Sequence, residues 1–212
     1  MDLIFFGMQG SGKGTLGKAI AERYNMQIFE MGGELRKLAQ ENSELGKKVK
    51  SIIEAGHLVS DDVVMEIVEN FMNNLKKDAT ILFDGIPRKV DQAKLLNDLL
   101  NKHGRKYTGV LLDIKKETAL HRLTTRRICK DCKAVYPVFY DKATCEKCNG
   151  QLITRADDNE TAIKTRLDAY EKETIPAMAL YRAAFINIDG EPTIDQVREL
   201  AFQKLDPLMK TA

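Results

Sequence analysis

The sequence is short of every feature that would take it outside ordinary globular proteins. Five prolines among 212 residues, with fourteen glycines, exclude a collagen-like repeat, and a 43% hydrophobic content excludes general disorder. Charge of one sign is also missing. The 33 Lys and Arg face 31 Asp and Glu, a formal net charge of +2, which excludes a protein whose main task is to coat nucleic acid. No long apolar run is present: the stretch Leu3 to Phe6 is too short for a secretory core, and nothing approaches the length that spans a bilayer. A cytoplasmic location without a membrane partner is therefore expected. Cysteine is absent outside positions 129–148, where four residues cluster. In a reducing compartment such a cluster points to metal rather than disulfides. The length suits one large domain, or one core with small insertions.

Four short apolar runs read as buried parallel strands: Leu3–Phe6 ending at Gly7, Thr80–Phe83 ending at Asp84, Val110–Ile114, and Ala184–Ile188. Between them the apolar spacing is helical, at Leu16, Ala19, Ile20 and Tyr24; at Val63 through Leu75; at Ala93, Leu96, Leu99 and Leu100; and at Ile194 through Leu205. Ser60 and Thr193 are expected N-caps. The alternation predicts an α/β fold, a parallel sheet with helices on both faces. Two stretches break the rhythm. Residues 31–56 read as two short helices around Ser43, and residues 127–155, with the cysteines and several aromatics, read as a small inserted unit.

The first strand-to-helix turn reads Gly7, Met8, Gln9, Gly10, Ser11, Gly12, Lys13, Gly14, Thr15. This matches a phosphate-binding loop up to the lysine, with the usual hydroxyl displaced one place to Thr15. Glycines let successive N–H groups turn inward around phosphate oxygens, and the following helix points its positive end at the same anion. Lys13 supplies a point charge for the β- and γ-phosphates. Asp84, at the end of the second strand, is where nucleotide-bound Mg2+ is expected. Gly85 and Pro87 then set the loop so that Arg88 faces the transferred phosphate. The cysteines form two Cys-x-x-Cys pairs, Cys129 with Cys132 and Cys145 with Cys148, twelve residues apart. Four thiolates at this spacing fit a fully coordinated, structural Zn2+. Tyr136, Phe139 and Tyr140 are expected to form the small core of that unit.

Taken together, Gly7–Thr15, the Asp84–Arg88 stretch and Gln92 resemble adenylate kinase, among the nucleoside monophosphate kinases. The resemblance continues through Arg122, Arg126 and Arg127, and through Arg155, Asp157, Asp158 and Arg166, and so covers nearly the whole chain. It implies transfer of the γ-phosphoryl group of ATP to AMP, giving two ADP, by a monomer with no nucleic-acid partner. Gly10, Ser11, Gly12, Lys13, Gly14 and Thr15, with Arg122 and Arg126, would hold ATP. Met31, Arg36, Gly85, Arg88, Gln92, Arg155 and Arg166 would meet the acceptor and the phosphates, with Gln92 on the adenine edge. Lys13, Asp84, Arg88, Arg122, Arg126, Arg155 and Arg166 would form the catalytic set. Positioning and charge suffice, because the attacking oxygen already belongs to an ionised phosphate. Arg122 and Arg126, four apart on a predicted helix, are expected to share one face. The resemblance divides the chain into a core of 1–29, 60–126 and 165–212, a monophosphate-binding insertion of 30–59, and a zinc-binding lid of 127–164. Both insertions would close to exclude water.

The sequence departs from the family at several positions. Met31, Gly32, Gly33 and Glu34 stand where relatives commonly have Thr-Gly-Asp, from which weak AMP affinity is expected. Gln9 and Ser60 replace prolines. The sequence admits three other readings: a UMP or CMP kinase, against which Gln92 speaks; a regulatory GTPase, which Asn101-Lys102-His103-Gly104 does not support; and a zinc-ribbon nucleic-acid module, suggested by Lys130, Lys133, Tyr136 and Lys147.

Overall fold

The computed structural model describes residues 1–209 apart from 77 and 138. The elements in chain order are β1 (Asp2–Phe6), α1 (Lys13–Tyr24), β2 (Gln27–Glu30), α2 (Met31–Leu38), α3 (Glu44–Glu54), α4 (Asp61–Asn73), β3 (Ile81–Asp84), α5 (Val90–Lys102), β4 (Tyr107–Asp113) and α6 (Lys116–Thr125). They continue with β5 (Arg127–Cys129), β6 (Val135–Tyr136), β7 (Leu152–Ile153), α7 (Glu160–Ala169), a π-helical turn (Tyr170–Thr174), α8 (Ile175–Met178), a 3₁₀ turn ending at Ala184, β8 (Phe185–Asp189) and α9 (Ile194–Met209). Among the described residues the main sheet is all parallel in the order β2-β3-β1-β4-β8. No described helix is long and apolar enough to cross a membrane.

The continuous apolar strands follow from burial on both faces. Leu3 and Phe5 of β1 join Leu82, Val110 and Leu112 in a core under α1 and α9. Ile4 and Phe6 point the other way, into a second core with Ile81 and Phe83 under α4 and α5. The chain visits β1, then β2 and β3 on one side of it, and crosses to β4 on the other side. The carboxyl ends of β1 and β3, Phe5 opposite Asp84, therefore lie at the reversal of strand order, where such sheets form a ligand crevice.

The insertion after β2 consists of two helices, as the spacing predicts, and Ser43 caps the second by accepting from the Gly46 N–H at 2.9 Å. Met31, Leu35 and Val49 tie it to the α4–α5 core. Thr193 caps α9 reciprocally with Gln196: Gln196 N donates to Thr193 Oγ1 at 3.4 Å, and Thr193 N donates to Gln196 Oε1 at 3.1 Å. Ser60 precedes α4 without a side-chain capping bond. Asp61 and Asp62 in that first turn offset the helix dipole instead. The cysteine unit is a small antiparallel sheet, β6-β5-β7. Its core is Cys129, Ala134, Tyr136 and Cys145, with Tyr140 and Leu152 against them. Phe139 does not join that core, being 78% exposed; the Tyr136–Tyr140 ring pair, with centroids 4.3 Å apart, fills the space without it.

One buried ion pair fastens the amino edge of the sheet. Asp2 is 1% exposed; it accepts from Arg105 at 2.5 and 2.8 Å and from the Ile81 N–H at 2.9 Å. Removing one member of such a pair leaves the other charge buried. Asp2→Ala should therefore cost about 3–5 kcal/mol and lower Tm by roughly 10 °C. A thermal melt within about 2 °C of the parent would show that solvent reaches Arg105 as readily as protein does.

Candidate active site

The turn after β1 wraps around the start of α1. Gly12 is the residue before the helix, in left-handed backbone (φ 101°) that a side chain would strain. Gly10 is also left-handed (φ 87°), and a Cβ there would lie 2.9 Å from the Ala119 carbonyl oxygen. Glycine thus lets the loop press against α6. Gly14 meets nothing within 4 Å, so space alone does not require it. Ser11 is buried, its N–H donating to Met8 O at 3.1 Å, while the Thr15 N–H donates to Gly12 O at 3.0 Å.

Lys13 folds back into this loop. Its ammonium donates to the carbonyls of Gly7 (2.6 Å) and Met8 (3.1 Å) and to Ser11 Oγ (3.4 Å). Burial lowers its pKa to about 8, and the positive charges of Arg88 and Arg126 push the same way against the attraction of Asp84. Asp84, at the end of β3, shows the opposite response. Burial raises its carboxyl, Glu30 adds to the rise, and Lys13, Arg88 and Arg36 oppose it. Asp84 is thus a carboxylate beside the phosphate loop with cations on several sides, a donor type that fits a hard divalent ion.

The arginines converge from separate parts of the chain. Burial lowers the pKa of Arg88, and Arg166 and Arg36 lower it further. Arg155 is pushed down to about 10 by burial, then by Arg126 and Arg36. Arg88 Nε donates to Gly85 O at 3.0 Å, and Gly85 itself sits in left-handed backbone (φ 84°) beside Met31. Arg36 pairs with Glu30 at 2.9 Å. Arg122 joins the phosphate loop to the turn after β8, donating to Ser11 O (3.2 Å) and Gly190 O (3.1 Å). Arg126 lies just beyond α6 in extended backbone, so the helical face expected to carry both arginines carries Arg122 alone. That break aims Arg126 at Asp158, which it grips with a bidentate pair of bonds from Nε and Nη2 at 2.8 and 2.6 Å. Arg166 reaches Asp157 (3.1 Å) and the same Asp158 (2.9 Å). Burial raises the Asp158 carboxyl, but hydrogen bonds and charge from Arg126 and Arg166 overcome this and hold it below the usual range.

The structure places Gln92 at the Arg88 turn with both ends of its amide engaged. It accepts from the Arg88 N–H at 2.8 Å and donates to Asp61 at 2.9 Å. One N–H and one oxygen lone pair of the amide remain for a further partner. Met31 is buried in the core, with its Cβ and the Gly32 backbone nitrogen lying beside Gly85. Thr174 is a participant that sequence reasoning missed: its hydroxyl donates to Arg88 O at 3.1 Å. A lone threonine before Ile-Pro carries no chemical signature, and only the π-helical turn brings it to Arg88.

Across the lid, the four cysteine sulfurs lie within 4.8 Å of one another. Cys129–Cys148 and Cys132–Cys145 are each 3.4 Å apart. Tetrahedral zinc with Zn–S near 2.3 Å needs sulfurs about 3.8 Å apart, so the donor set fits that ion with small adjustments. Tyr136 Oη touches Cys145 Sγ at 3.0 Å, and the Lys147 N–H donates to the same sulfur at 3.4 Å, the kind of outer bonds that orient metal-binding thiolates.

Comparison with known proteins agrees with this arrangement. The family model described as adenylate kinase matches residues 5–186. Among curated proteins, "Adenylate kinase" of Methanocella arvoryzae is 35% identical over 93% of this chain and 94% of its own length. The protein of that name from Bacillus licheniformis is 36% identical over the same shares, and that from Kosmotoga olearia is 37% identical over 98% of this chain and its own full length. With the loop, the strand-end acid and the arginines all lying inside the matched span, the chain belongs to the adenylate kinase family.

Proposed function

We propose that this chain catalyses reversible, Mg2+-dependent transfer of the γ-phosphoryl group from ATP to AMP, yielding two ADP. The observation that carries the reading is the gathering of Arg36, Arg88, Arg126, Arg155 and Arg166 around the phosphate loop and Lys13, where burial first and neighbouring positive charges second lower the pKa of Lys13, Arg88 and Arg155. Buried like charges are costly unless an anion offsets them, and two facing nucleotides supply several negative charges at once. The loop N–H groups and Lys13 take the donor's β- and γ-phosphates, with Arg122 and Arg126 beside them. Arg36 and Arg88 take the acceptor phosphate, and Arg155 and Arg166 bridge the two. An AMP phosphate oxygen attacks the γ-phosphorus as the bond to the β-phosphate oxygen breaks. Asp84 would hold magnesium, which when bound would supply charge neutralisation for the transferred phosphates.

In this reading residues 30–59 and 127–164 are the moving parts. The Asp158 bonds to Arg126 and Arg166 support this, since they join residues on both sides of the lid. Ion pairs so placed align the arginines as the lid closes and exclude water. The deciding experiment offers AMP, UMP, CMP and GMP separately with ATP and magnesium, and measures ADP. AMP should be the preferred acceptor; failure of all four would refute the reading.

Lys13 gives this site a pH signature. Its pKa of about 8 means that the free enzyme loses the ammonium charge as pH rises through 8. Bound triphosphate stabilises the charged form and raises that pKa, so binding draws protons in above it. ATP binding should take up about 0.2 proton at pH 7.5 and about 0.9 at pH 9. Calorimetry in two buffers of different ionisation enthalpy measures this, and equal uptake at both pH values would contradict it.

A further inference from the structure

Gln9 is the residue of the phosphate loop to which the reading above gives no task. Its side chain lines the cavity between the two halves of the site, together with Lys13 on the donor side and Gly85 and Arg88 on the acceptor side. Gln9 Oε1 is buried and has no hydrogen-bond partner among the described residues. An amide buried in this way costs stability unless something satisfies it. With no bond pinning its oxygen, the group can rotate and present its NH2 as readily as its carbonyl. The cavity it faces carries two cationic side chains, Lys13 and Arg88, and among the described residues no acid, so the occupant it suits is an anion with acceptor oxygens.

We infer that the Gln9 side-chain amide donates a hydrogen bond to the phosphoryl group in transit between donor and acceptor. The inference rests on the proposed phosphotransfer. A neutral donor suits that place. It adds a bond to the equatorial oxygens of the transition state without adding to the positive charge that holds the product ADP.

The test is Gln9→Ala and Gln9→Glu, assayed for transfer with ATP and AMP beside the parent protein, with ADP affinity measured by calorimetry. Gln9→Ala should lower kcat about tenfold, the worth of one hydrogen bond, and leave KM and ADP affinity within about twofold. Gln9→Glu should lose more at neutral pH, because its carboxylate faces phosphates, and should recover relative to the parent as pH falls toward the carboxyl's own pKa. Unchanged kcat in Gln9→Ala would overturn the inference while leaving the phosphotransfer reading intact. So would an equal fall in kcat and ADP affinity, which would mark Gln9 as a loop-shaping residue. Absence of transfer by the parent protein would overturn the reading beneath it.

Discussion

Lys13→Met should lower kcat about 1,000-fold, the loss expected when a fixed positive donor is withdrawn from a phosphoryl group in transit. Methionine keeps the length and most of the volume of the side chain, so the loop closes around it much as before. What disappears is the ammonium that bonds to the Gly7 and Met8 carbonyls at 2.6 and 3.1 Å. Those carbonyls hold the charge within the cradle, where in the proposed reaction phosphate oxygens would replace them as acceptors. The same substitution should not lower the Tm of the ligand-free protein. In the folded chain burial brings the lysine's pKa from 10.5 to about 8. Below pH 8 the folded state therefore carries a charge that the unfolded chain solvates better, a cost of about 3 kcal/mol at most. Catalytic loss with an equal or higher melting temperature is the signature of a group retained for chemistry at the expense of stability. Transfer within about tenfold of the parent would show that the arginines carry the donor phosphates without Lys13; a large drop in Tm would show that the lysine props up the loop.

Lys13 was legible in the sequence because its motif is local: glycines, lysine and hydroxyl residues lie within nine positions between an apolar run and a helical pattern. The central strands β1, β3 and β4 were legible for a similar reason, since burial on both faces favours continuous apolar runs, and edge strand β8 was legible because Phe185, Ile186 and Ile188 still cluster in it. Strand β2 was not. It is the edge strand at the other end of the sheet from β8, and of Gln27, Ile28, Phe29 and Glu30 only Phe29 is buried, where it meets Phe83 and Phe71 at 5.8 and 4.9 Å between ring centroids. One inward residue in four leaves no period to read. Helix α7 escaped for the opposite reason. It buries Arg166 alongside Ala162, Ile163 and Leu167, and a charged residue on the inward face hides the apolar stripe. Ile163 and Leu167 pack with Ala119 and Leu123 of α6, a contact that couples the end of the lid segment to the sheet domain. The position of Arg126 depends on a single residue: the helical register ends at Thr125, and the turn outward is what meets Asp158. Spacing can count residues along a helix but does not show where a tertiary ion pair ends it.

The lid offers the second large effect. Its strands are three, two and two residues long, and its buried core is four residues, two of them cysteines. A unit so small cannot offset its own chain entropy by burial. Its order has to come from the sulfur cluster, and zinc bound by four thiolates supplies folding free energy directly, about 10–16 kcal/mol apparent in comparable small sites. The protein as isolated should therefore contain about one zinc per chain. Stripping it with a strong chelator should abolish hydrogen-exchange protection across residues 127–153, leave the parallel sheet protected, and reduce transfer at least about 100-fold. The catalytic loss follows from geometry: without the lid, Arg155 is no longer held beside Arg126 and Arg36, and Asp158 no longer spans Arg126 and Arg166. Gly150→Ala separates metal geometry from cysteine chemistry, because all four thiols remain. A Cβ there would lie 2.8 Å from Cys129 Sγ and 2.2 Å from Asp131 Oδ2, so the variant should bind zinc more weakly and lose lid protection at lower chelator concentration than the parent. No metal on elemental analysis, together with melting unchanged by chelation, would mean that Tyr136, Tyr140 and the reduced thiols pack the lid unaided.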